Sequence, residues 1–401
     1  MDDEKESRSA FRATVRAFIA ANFPIELRGC DPIQFQTDGA LAASNPYFQD
    51  WRTRMAGTGW GVPTWPLEYG GAGLDEVAAR IIAEEIADAG AFNPIRSYGS
   101  TMLGPTLLEF GSPAQKAEHL PPMARNERRW CQGFSEPGAG SDLASLSTRC
   151  SWVGDHWLVN GQKIWTSGAD HSDWCFALVR TDTSTKHDGI SFLLIDMGSP
   201  GIEVRPIELI SGSTHFCEVF FNDVAVPAAN LVGSVNQGWA IAKRLLQFER
   251  DSLSVGRGDI PSLAPIAHDV VGTDEKGHIA NADLRARLIR NGMRVDALGE
   301  TIKRLATEAK AGNGPNSGVS AIKNLWSSIM QERAELLIEL YGSEGLGWSG
   351  DAYPPDAQTG TRAWLHSKAF SIYGGSFEVQ NNIVSKRVLN LPDPPRHRDA
   401  R

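Results

Sequence analysis

The chain has 401 residues, of which 41% are hydrophobic and 22% charged, an ordinary balance for a globular protein with a sizeable core. Length alone favours about two or three domains. The formal net charge of -9 argues against a nucleic-acid partner, which attracts a basic surface, although a locally basic pocket could still take an anionic substrate.

The cysteines and the N-terminus predict a reduced, intracellular environment. Five cysteines are scattered along the chain without a Cys-x-x-Cys pair, which is typical of free thiols. The N-terminus has no apolar signal segment, and no apolar run is long enough to cross a bilayer. The nine histidines show no spacing that suits a metal. We therefore expect a soluble cytoplasmic protein with no metal site and no membrane span.

The first third of the chain has helical patterning. Phe11, Val15, Phe18 and Ile19 recur at the spacing of one helix face, with charges between them. Further helix-like stretches follow a loop rich in glycine and proline at residues 60–73. These features predict a helical domain over residues 1–125.

The pattern changes near Arg129, where short apolar runs follow one another between turns until about residue 234. Several short strands at close spacing favour a small antiparallel barrel or sandwich over residues 126–234. Helical patterning returns at Gln237 and continues to Leu391, interrupted by a loop at residues 312–318. A second helical domain is therefore predicted over residues 235–401.

Two stretches carry the strongest functional signal, Trp130–Asp142 and Asn160–Gly168. In the first, a Ser-Glu-Pro break leads into a Gly-Ala-Gly-Ser-Asp turn, whose glycines let backbone amides approach an anion closely. In the second, an aromatic residue is followed by two hydroxyls. A surface turn after a strand is the simpler explanation for either stretch alone. Together they closely resemble the flavin-binding segments of the acyl-CoA dehydrogenase family.

The resemblance spans nearly the whole chain and implies an α+β multidomain fold. An N-terminal helical domain, a middle β-barrel or sandwich domain and a C-terminal four-helix-bundle-like domain would follow one another. FAD would be the cofactor. The cofactor-binding residues implied by the resemblance are Phe134, Ser135, Gly140, Ser141, Trp165, Thr166, Ser167 and Gln380.

The resemblance implies that these residues contact different parts of the cofactor. By resemblance, Phe134 and Ser135 face the flavin ring, and Gly140 with Ser141 approaches its phosphates or the substrate's pantetheine. Trp165 shields the ring from solvent, whereas an isolated tryptophan at a strand end would ordinarily belong to the core. Ser167 would hydrogen-bond near the flavin N5.

The catalytic base is where the sequence departs from the commonest family pattern. Gly374 stands where many members carry the glutamate, and Glu378 lies near a predicted helix N-cap, which suits a structural role. A subset of the family places the glutamate earlier, directly before an arginine, as Glu249 precedes Arg250 here.

Helix geometry independently supports Glu249. Leu245, Leu246 and Leu253 lie three or four residues from it, so its carboxylate would share their apolar face. Burial there would raise its pKa toward neutrality, which suits a general base. The alternative is an ion pair with Arg250 or Lys243 on a solvated face.

A second departure concerns subunit composition. Symmetric tetramers of the family usually carry an Arg-x-x-Phe-Gly segment whose arginine reaches the flavin pyrophosphate of a neighbouring subunit. No such segment occurs between Arg250 and Leu298, and Asn381 stands where an arginine is usual. The chain thus looks most like large subunits of heteromeric members, such as the pimeloyl-CoA dehydrogenase type, which pair with a smaller related subunit. Alternatively, Arg257 or Arg285 completes the site in a homo-oligomer.

The function implied is α,β-dehydrogenation of an acyl-CoA to the trans-2-enoyl-CoA, with electrons passed to an electron-transfer flavoprotein or similar acceptor. Glu249 would remove the Cα proton, and hydride would pass from Cβ to N5 of FAD. A non-catalytic partner subunit and a flavin oxidase or monooxygenase on the same fold are the alternatives. The sequence lacks a Gly-x-Gly-x-x-Gly unit for nicotinamide and a Gly-x-Ser-x-Gly elbow for a hydrolase.

Overall fold

The computed structural model describes residues 2–254, 260–310 and 319–392. The described residues form two compact units. The first contains the residues up to Ile207 together with Thr214–Glu249, and the second contains Glu208–Ser213 and the described residues beyond Glu249.

The first unit begins with a helical region that ends before residue 125. Side chains cap several of these helices: Asp75 accepts from the Ala78 amide at 2.8 Å, and Ser112 forms a capping box with Gln115. The helices are α1 (Asp2–Asn22), α2 (Ile33–Thr37), α3 (Gly39–Ser44), α4 (Pro46–Thr58), α5 (Glu76–Asp88), α6 (Gly104–Phe110) and α7 (Pro113–Ala124).

Helices α1 and α5 are joined by a buried carboxylate. The Glu85 side chain is 1% exposed and accepts hydrogen bonds from Arg12 Nη1 at 2.7 Å and Arg16 Nε at 2.8 Å. A buried charge is tolerated only when it is paired and hydrogen-bonded. The two arginines on α1 therefore fix that helix against α5.

A mixed sheet follows the helices. Its strands are β1 (Trp130–Gly133), β2 (Arg149–Val153), β3 (His156–Ser167), β4 (Trp174–Arg180), β5 (Ile190–Asp196), β6 (Ile202–Ile207), β7 (Phe216–Pro227) and β8 (Leu231–Val232). The strand order is β6-β7-β3-β2-β4-β5-β8, and β1 pairs with β4. The antiparallel arrangement expected from the sequence is correct for most pairs, including β4 with β5, but wrong for the pairs that β4 makes with β1 and with β2, which are parallel.

Strands β4 and β5 are buried on both faces, which explains their nearly continuous apolar sequences. Phe176 and Phe192 point into a core shared with the N-terminal helices, and Ala177 and Leu193 point into a second core on the other face. Because side chains alternate between the two faces of a strand, β4 and β5 contribute side chains to both cores. Helix α8 (Gly238–Ser254) adds the fully buried Leu245 to the first core.

The second unit is helical. Its helices are α9 (Ala264–Val271), α10 (Ala282–Lys310), α11 (Val319–Tyr341), α12 (Pro355–Ser367) and α13 (Phe377–Ile383). Helices α10 and α11 pack through Leu298, Ile322 and Ile329, and Arg294 Nη1 bonds to Glu332 Oε2 at 2.5 Å. The helical, β, helical order predicted from the sequence is thus confirmed.

The predicted boundaries at residues 125 and 234 stay predictions, as does a cytoplasmic location. The predicted loop at 312–318 lies outside the described residues. Within the described part, no helix combines the length and apolar character needed to span a bilayer. Nor do the side chains described include three His, Cys, Asp or Glu residues grouped to hold a metal ion.

The buried α10–α11 contact yields a stability prediction. Ile329→Ala should lower the free energy of unfolding by about 2–5 kcal/mol, because a fully buried isoleucine is replaced by a cavity. The matched control is Ile289→Ala on α10, where the isoleucine is 58% exposed and its loss should cost about 0.5 kcal/mol or less. Urea unfolding measures both; equal losses would contradict the packing described here.

Candidate functional site

Strand β1 leads directly into the Ser-Glu-Pro loop, which lies against β3. The Phe134 ring is buried and packs edge-on against Phe176 and Phe192, with ring centroids 5.9 and 6.2 Å apart. That side chain is therefore packed in the core and does not face a ring, contrary to the expectation for Phe134, whereas Ser135 is half-buried. The Ser135 carbonyl accepts from the Ile164 amide at 2.9 Å, which joins the loop to β3.

A buried ion pair joins the same two segments. Lys163 is fully buried on β3, and its Nζ donates to Glu136 Oε1 at 2.7 Å and to the Phe134 carbonyl at 3.2 Å. The Glu136 carboxylate also accepts from the Ser147 amide at 2.6 Å, the Ser147 hydroxyl at 2.9 Å and the Thr148 amide at 2.9 Å. Both charges are thus compensated within the protein.

The surroundings of Glu136 keep it ionised. Burial alone would raise the pKa of its carboxyl, but the charge of Lys163 and four hydrogen bonds to the carboxylate outweigh that effect and lower the pKa to about 2. The Glu136 carboxyl is consequently ionised throughout the neutral range, while burial lowers the pKa of the Lys163 ammonium and the charge of Glu136 opposes that effect.

The glycine turn that follows is exposed and open. Gly140 and Ser141 lie on the surface, and a Cβ built on Gly140 would meet no atom within 4 Å. The segment after the turn is held by Arg180, whose buried guanidinium donates to the Ala144 carbonyl at 2.6 Å. The turn therefore presents its backbone to a free space, which suits an approaching anionic or polar group.

Trp165 is presented by a bulge. Lys163 pairs with Val219 and Thr166 with Cys217, so two residues of β3 oppose one of β7. Trp165 has φ of +60°, a costly conformation for a bulky residue and one that concentrates at functional sites. Its indole is 53% exposed. It is therefore not the core tryptophan considered as the alternative.

The two residues after Trp165 bring hydroxyls to the same edge. Thr166 is fully buried, and its Oγ1 has no hydrogen-bond partner among the described residues. Ser167 is half-buried and closes the strand. An unpartnered buried hydroxyl beside an exposed indole fits a flat, polar-edged ring, so these residues suit a flavin.

The C-terminal motif is arranged around two glycines in the second unit. Gly374 and Gly375 have φ of +64° and +86°, and Gln380 Nε2 donates to the Gly374 carbonyl at 2.8 Å. The Oε1 of Gln380 is buried with no partner among the described residues. A left-handed φ at residue 374 disfavours the glutamate that the family often carries there.

Glu378 behaves as a helix-cap residue. It lies exposed at the start of α13, where Ser376 is the N-cap. Hydrogen bonds from the backbone and Ser376 lower the pKa of its carboxyl. A solvated carboxylate with a lowered pKa is a poor proton acceptor near neutrality, in agreement with the sequence argument against it.

Glu249 lies in α8, but its side chain is outside the described part of the chain. Of its predicted apolar neighbours, Leu245 is fully buried and Leu246 partly buried. Among the alternative arginines, Arg285 Nη1 donates to the Ile279 carbonyl at 2.8 Å. Arg257 lies outside the described residues.

Sequence reasoning missed Glu136, Lys163 and Arg180, the three buried charges around the loop. One signal was available, since Glu136 and Lys163 each stand inside a motif singled out for its neighbours. The ion pair between Lys163 and Glu136 depends on which segments lie side by side, and the two motifs do not show this.

Profiles of the acyl-CoA dehydrogenase N-terminal, middle and C-terminal domains match residues 5–127, 131–224 and 236–389. The chain is 36% identical over 394 residues to acyl-CoA dehydrogenase IpdE1 of Mycobacterium tuberculosis, covering 95% of this chain and 97% of that protein. Identity to IpdE1 of Mycolicibacterium smegmatis is 34% over 396 residues, covering 95% and 97% respectively.

Solved structures agree with these matches. The Tcur3481-Tcur3483 steroid ACAD superposes with a TM-score of 0.77 at 25% identity, covering 97% of this chain and 98% of that one. The ChsE4-ChsE5 complex from Mycobacterium tuberculosis gives a TM-score of 0.75 at 28% identity, again covering 97% and 98%.

The depressed pKa of Glu136 predicts an acid-dependent loss of stability. Because the folded pKa of about 2 lies below the ordinary value of 4.5, the stabilisation is complete above pH 4.5 and is lost as pH falls toward 2. Between pH 6 and pH 3 the free energy of unfolding should fall by about 2 kcal/mol more than in the uncharged double variant Glu136→Gln/Lys163→Met. Urea titrations at several pH values measure this; parallel pH profiles would rule it out.

Proposed function

This chain belongs to the acyl-CoA dehydrogenase family, and from that premise we propose that it oxidises an acyl-CoA to the trans-2-enoyl-CoA with FAD as its cofactor. The observation that carries the proposal is the end of β3, where the exposed Trp165 lies beside the unpartnered buried hydroxyl of Thr166, an arrangement that suits a flavin ring. It is an oxidoreductase, and family members generally use FAD.

We propose that each part of the cofactor is contacted by a different set of residues. The main chain of Phe134 and Ser135 lies along the ring, Trp165 covers it from solvent, and the hydroxyls of Thr166 and Ser167 bond to its polar edge. The backbone of Gly140 and Ser141 meets a phosphate or the pantetheine of the substrate. Gln380 is proposed as a further cofactor contact because it has an unused buried carbonyl oxygen.

When bound at this site, FAD would supply the acceptor for the hydride that leaves Cβ of the acyl group. We assign the proton at Cα to Glu249, whose carboxylate takes it as the Cα–Cβ double bond forms. Two features of the described residues disfavour the other positions for the base. The backbone at Gly374, where the family often has its glutamate, is left-handed, and Glu378 is an exposed carboxylate whose pKa is lowered. The buried Leu245 one turn earlier gives α8 the apolar face that a raised carboxyl pKa requires.

The electron acceptor is proposed to be an electron-transfer flavoprotein or a similar protein. For the acyl group we propose a bulky or steroid-derived chain as the first candidate, because the Tcur3481-Tcur3483 neighbour is named a steroid ACAD. Straight-chain and dicarboxylyl thioesters complete the panel that should be tested.

The base assignment predicts a specific defect. Glu249→Gln keeps the shape of the side chain but removes the proton acceptor, so flavin reduction by the active acyl-CoA should slow by about two orders of magnitude or more. Stopped-flow absorbance follows the flavin directly. Glu378→Gln is the matched control and should reduce its flavin at the wild-type rate.

The opposite ranking of the two variants would show that the wrong acid was chosen. A wild-type protein that binds no FAD, even beside its natural partner, would refute the proposed function itself. Rapid reoxidation of the reduced flavin by air would instead favour an oxidase or monooxygenase.

We further propose that the chain works with a smaller, related subunit. A flavin pyrophosphate needs a matching cation, which arginine supplies best through paired hydrogen bonds. The Arg-x-x-Phe-Gly segment whose arginine would reach the pyrophosphate does not occur between Arg250 and Leu298. In the last motif, where the family usually has a further arginine, this chain has Asn381, whose Oδ1 accepts from Asn324 Nδ2 at 3.0 Å. The two-component names of both solved neighbours support a heteromer.

Expression of this chain alone should therefore give poor FAD retention, with well under one flavin per chain. Co-expression with a smaller family member that carries Arg-x-x-Phe-Gly should raise retention to one flavin per pair of unlike chains. Flavin absorbance and mass in solution measure both quantities. A stable homotetramer that holds one FAD per chain and oxidises acyl-CoA would contradict the heteromer.

A further inference from the structure

The Glu136–Lys163 ion pair does more than neutralise two buried charges. Replacing a buried ion pair with apolar residues of similar volume is often neutral or stabilising, so its presence is weak evidence of a role in stability. The contacts of this pair join the loop after β1 to β3, the two segments to which the proposed flavin contacts belong.

Lys163 occupies a special place on β3. It is the last residue in register with β7 before the bulge, since the pairing moves from Lys163–Val219 directly to Thr166–Cys217. The two residues between them, Ile164 and Trp165, make up the bulge. Any shift of Lys163 along the strand would therefore move the start of the bulge and the indole that it presents.

The side chain of Lys163 makes two hydrogen bonds to the loop after β1. Its Nζ holds the Phe134 carbonyl at 3.2 Å and the Glu136 carboxylate at 2.7 Å, one residue on either side of Ser135. The adjacent amide of Ile164 bonds to Ser135 itself at 2.9 Å. Three consecutive residues of the loop are thus tied to two consecutive residues of the strand.

We propose that Glu136 and Lys163 are positioning residues, which set the distance between the Ser135 main chain and the Trp165 bulge and so determine how the flavin is held. This inference rests on the proposed function, because it concerns the same site. The carboxylate's bonds to Ser147 and Thr148 also tie the pair to the segment that leads from the glycine turn into β2.

The test is a comparison of flavin binding with stability. The double variant Glu136→Gln/Lys163→Met removes both charges without leaving either one unpaired. Glu85→Gln is the matched control, because Glu85 is an equally buried carboxylate, paired with Arg12 and Arg16 on the N-terminal helices. Each protein is purified with FAD and with its partner subunit where one is needed. The melting temperature, the Kd for FAD, the visible absorption spectrum and the midpoint potential are then measured.

The expected result is a separation of the two properties. At a similar melting temperature, the double variant should bind FAD roughly tenfold or more weakly than the control, about the loss of one charge-assisted hydrogen bond. Its absorption bands and midpoint potential should shift, and those of the control should match the wild type. Wild-type affinity, spectrum and potential in the double variant would overturn the inference and leave the proposed function standing.

A second variant covers the case in which the double variant does not fold. Lys163→Arg keeps the positive charge but replaces a compact ammonium with a wider planar group, so it should fold and still shift the flavin spectrum. An unchanged spectrum would overturn the inference. A wild-type protein that binds no FAD would overturn the proposed function, and this inference with it.

Discussion

The first unit depends on one constraint, which is that a buried lysine on β3 and a buried glutamate in the loop after β1 must pair with each other. Lys163 is fully buried and Glu136 nearly so, and neither charge could remain there alone. Their pairing forces the Ser-Glu-Pro loop onto β3, next to the bulge that carries Trp165. The contact joins two segments that lie 27 residues apart in sequence.

The sheet supplies the rigidity that this contact requires. Because β4 and β5 are buried on both faces, their alternating side chains pack simultaneously into two cores. Phe134 adds its ring to one of these cores beside Phe176 and Phe192. The loop that follows β1 is therefore held by the packing of Phe134 and by the ion pair of Glu136, and the glycine turn beyond it is exposed.

The C-terminal motif obeys a different constraint. Gly374 and Gly375 both adopt left-handed conformations, and the Gln380 amide holds the turn by bonding to the Gly374 carbonyl. A side chain at residue 375 would collide with that same amide, at 2.5 Å from Nε2. The glycines are thus required by the turn, which gives a backbone reason for the missing glutamate at residue 374.

The sequence by itself determined the order of helical and β regions, because hydrophobic periodicity is a local property. It also identified the family from two motifs, each of which consists of residues close in sequence. Only the tertiary structure decided that β1 and β4 run in parallel, that the Phe134 ring belongs to the core, and that Trp165 is exposed at a bulge. It alone revealed the Glu136–Lys163 pair, because register, bulges and buried charge pairs depend on which distant segments lie side by side.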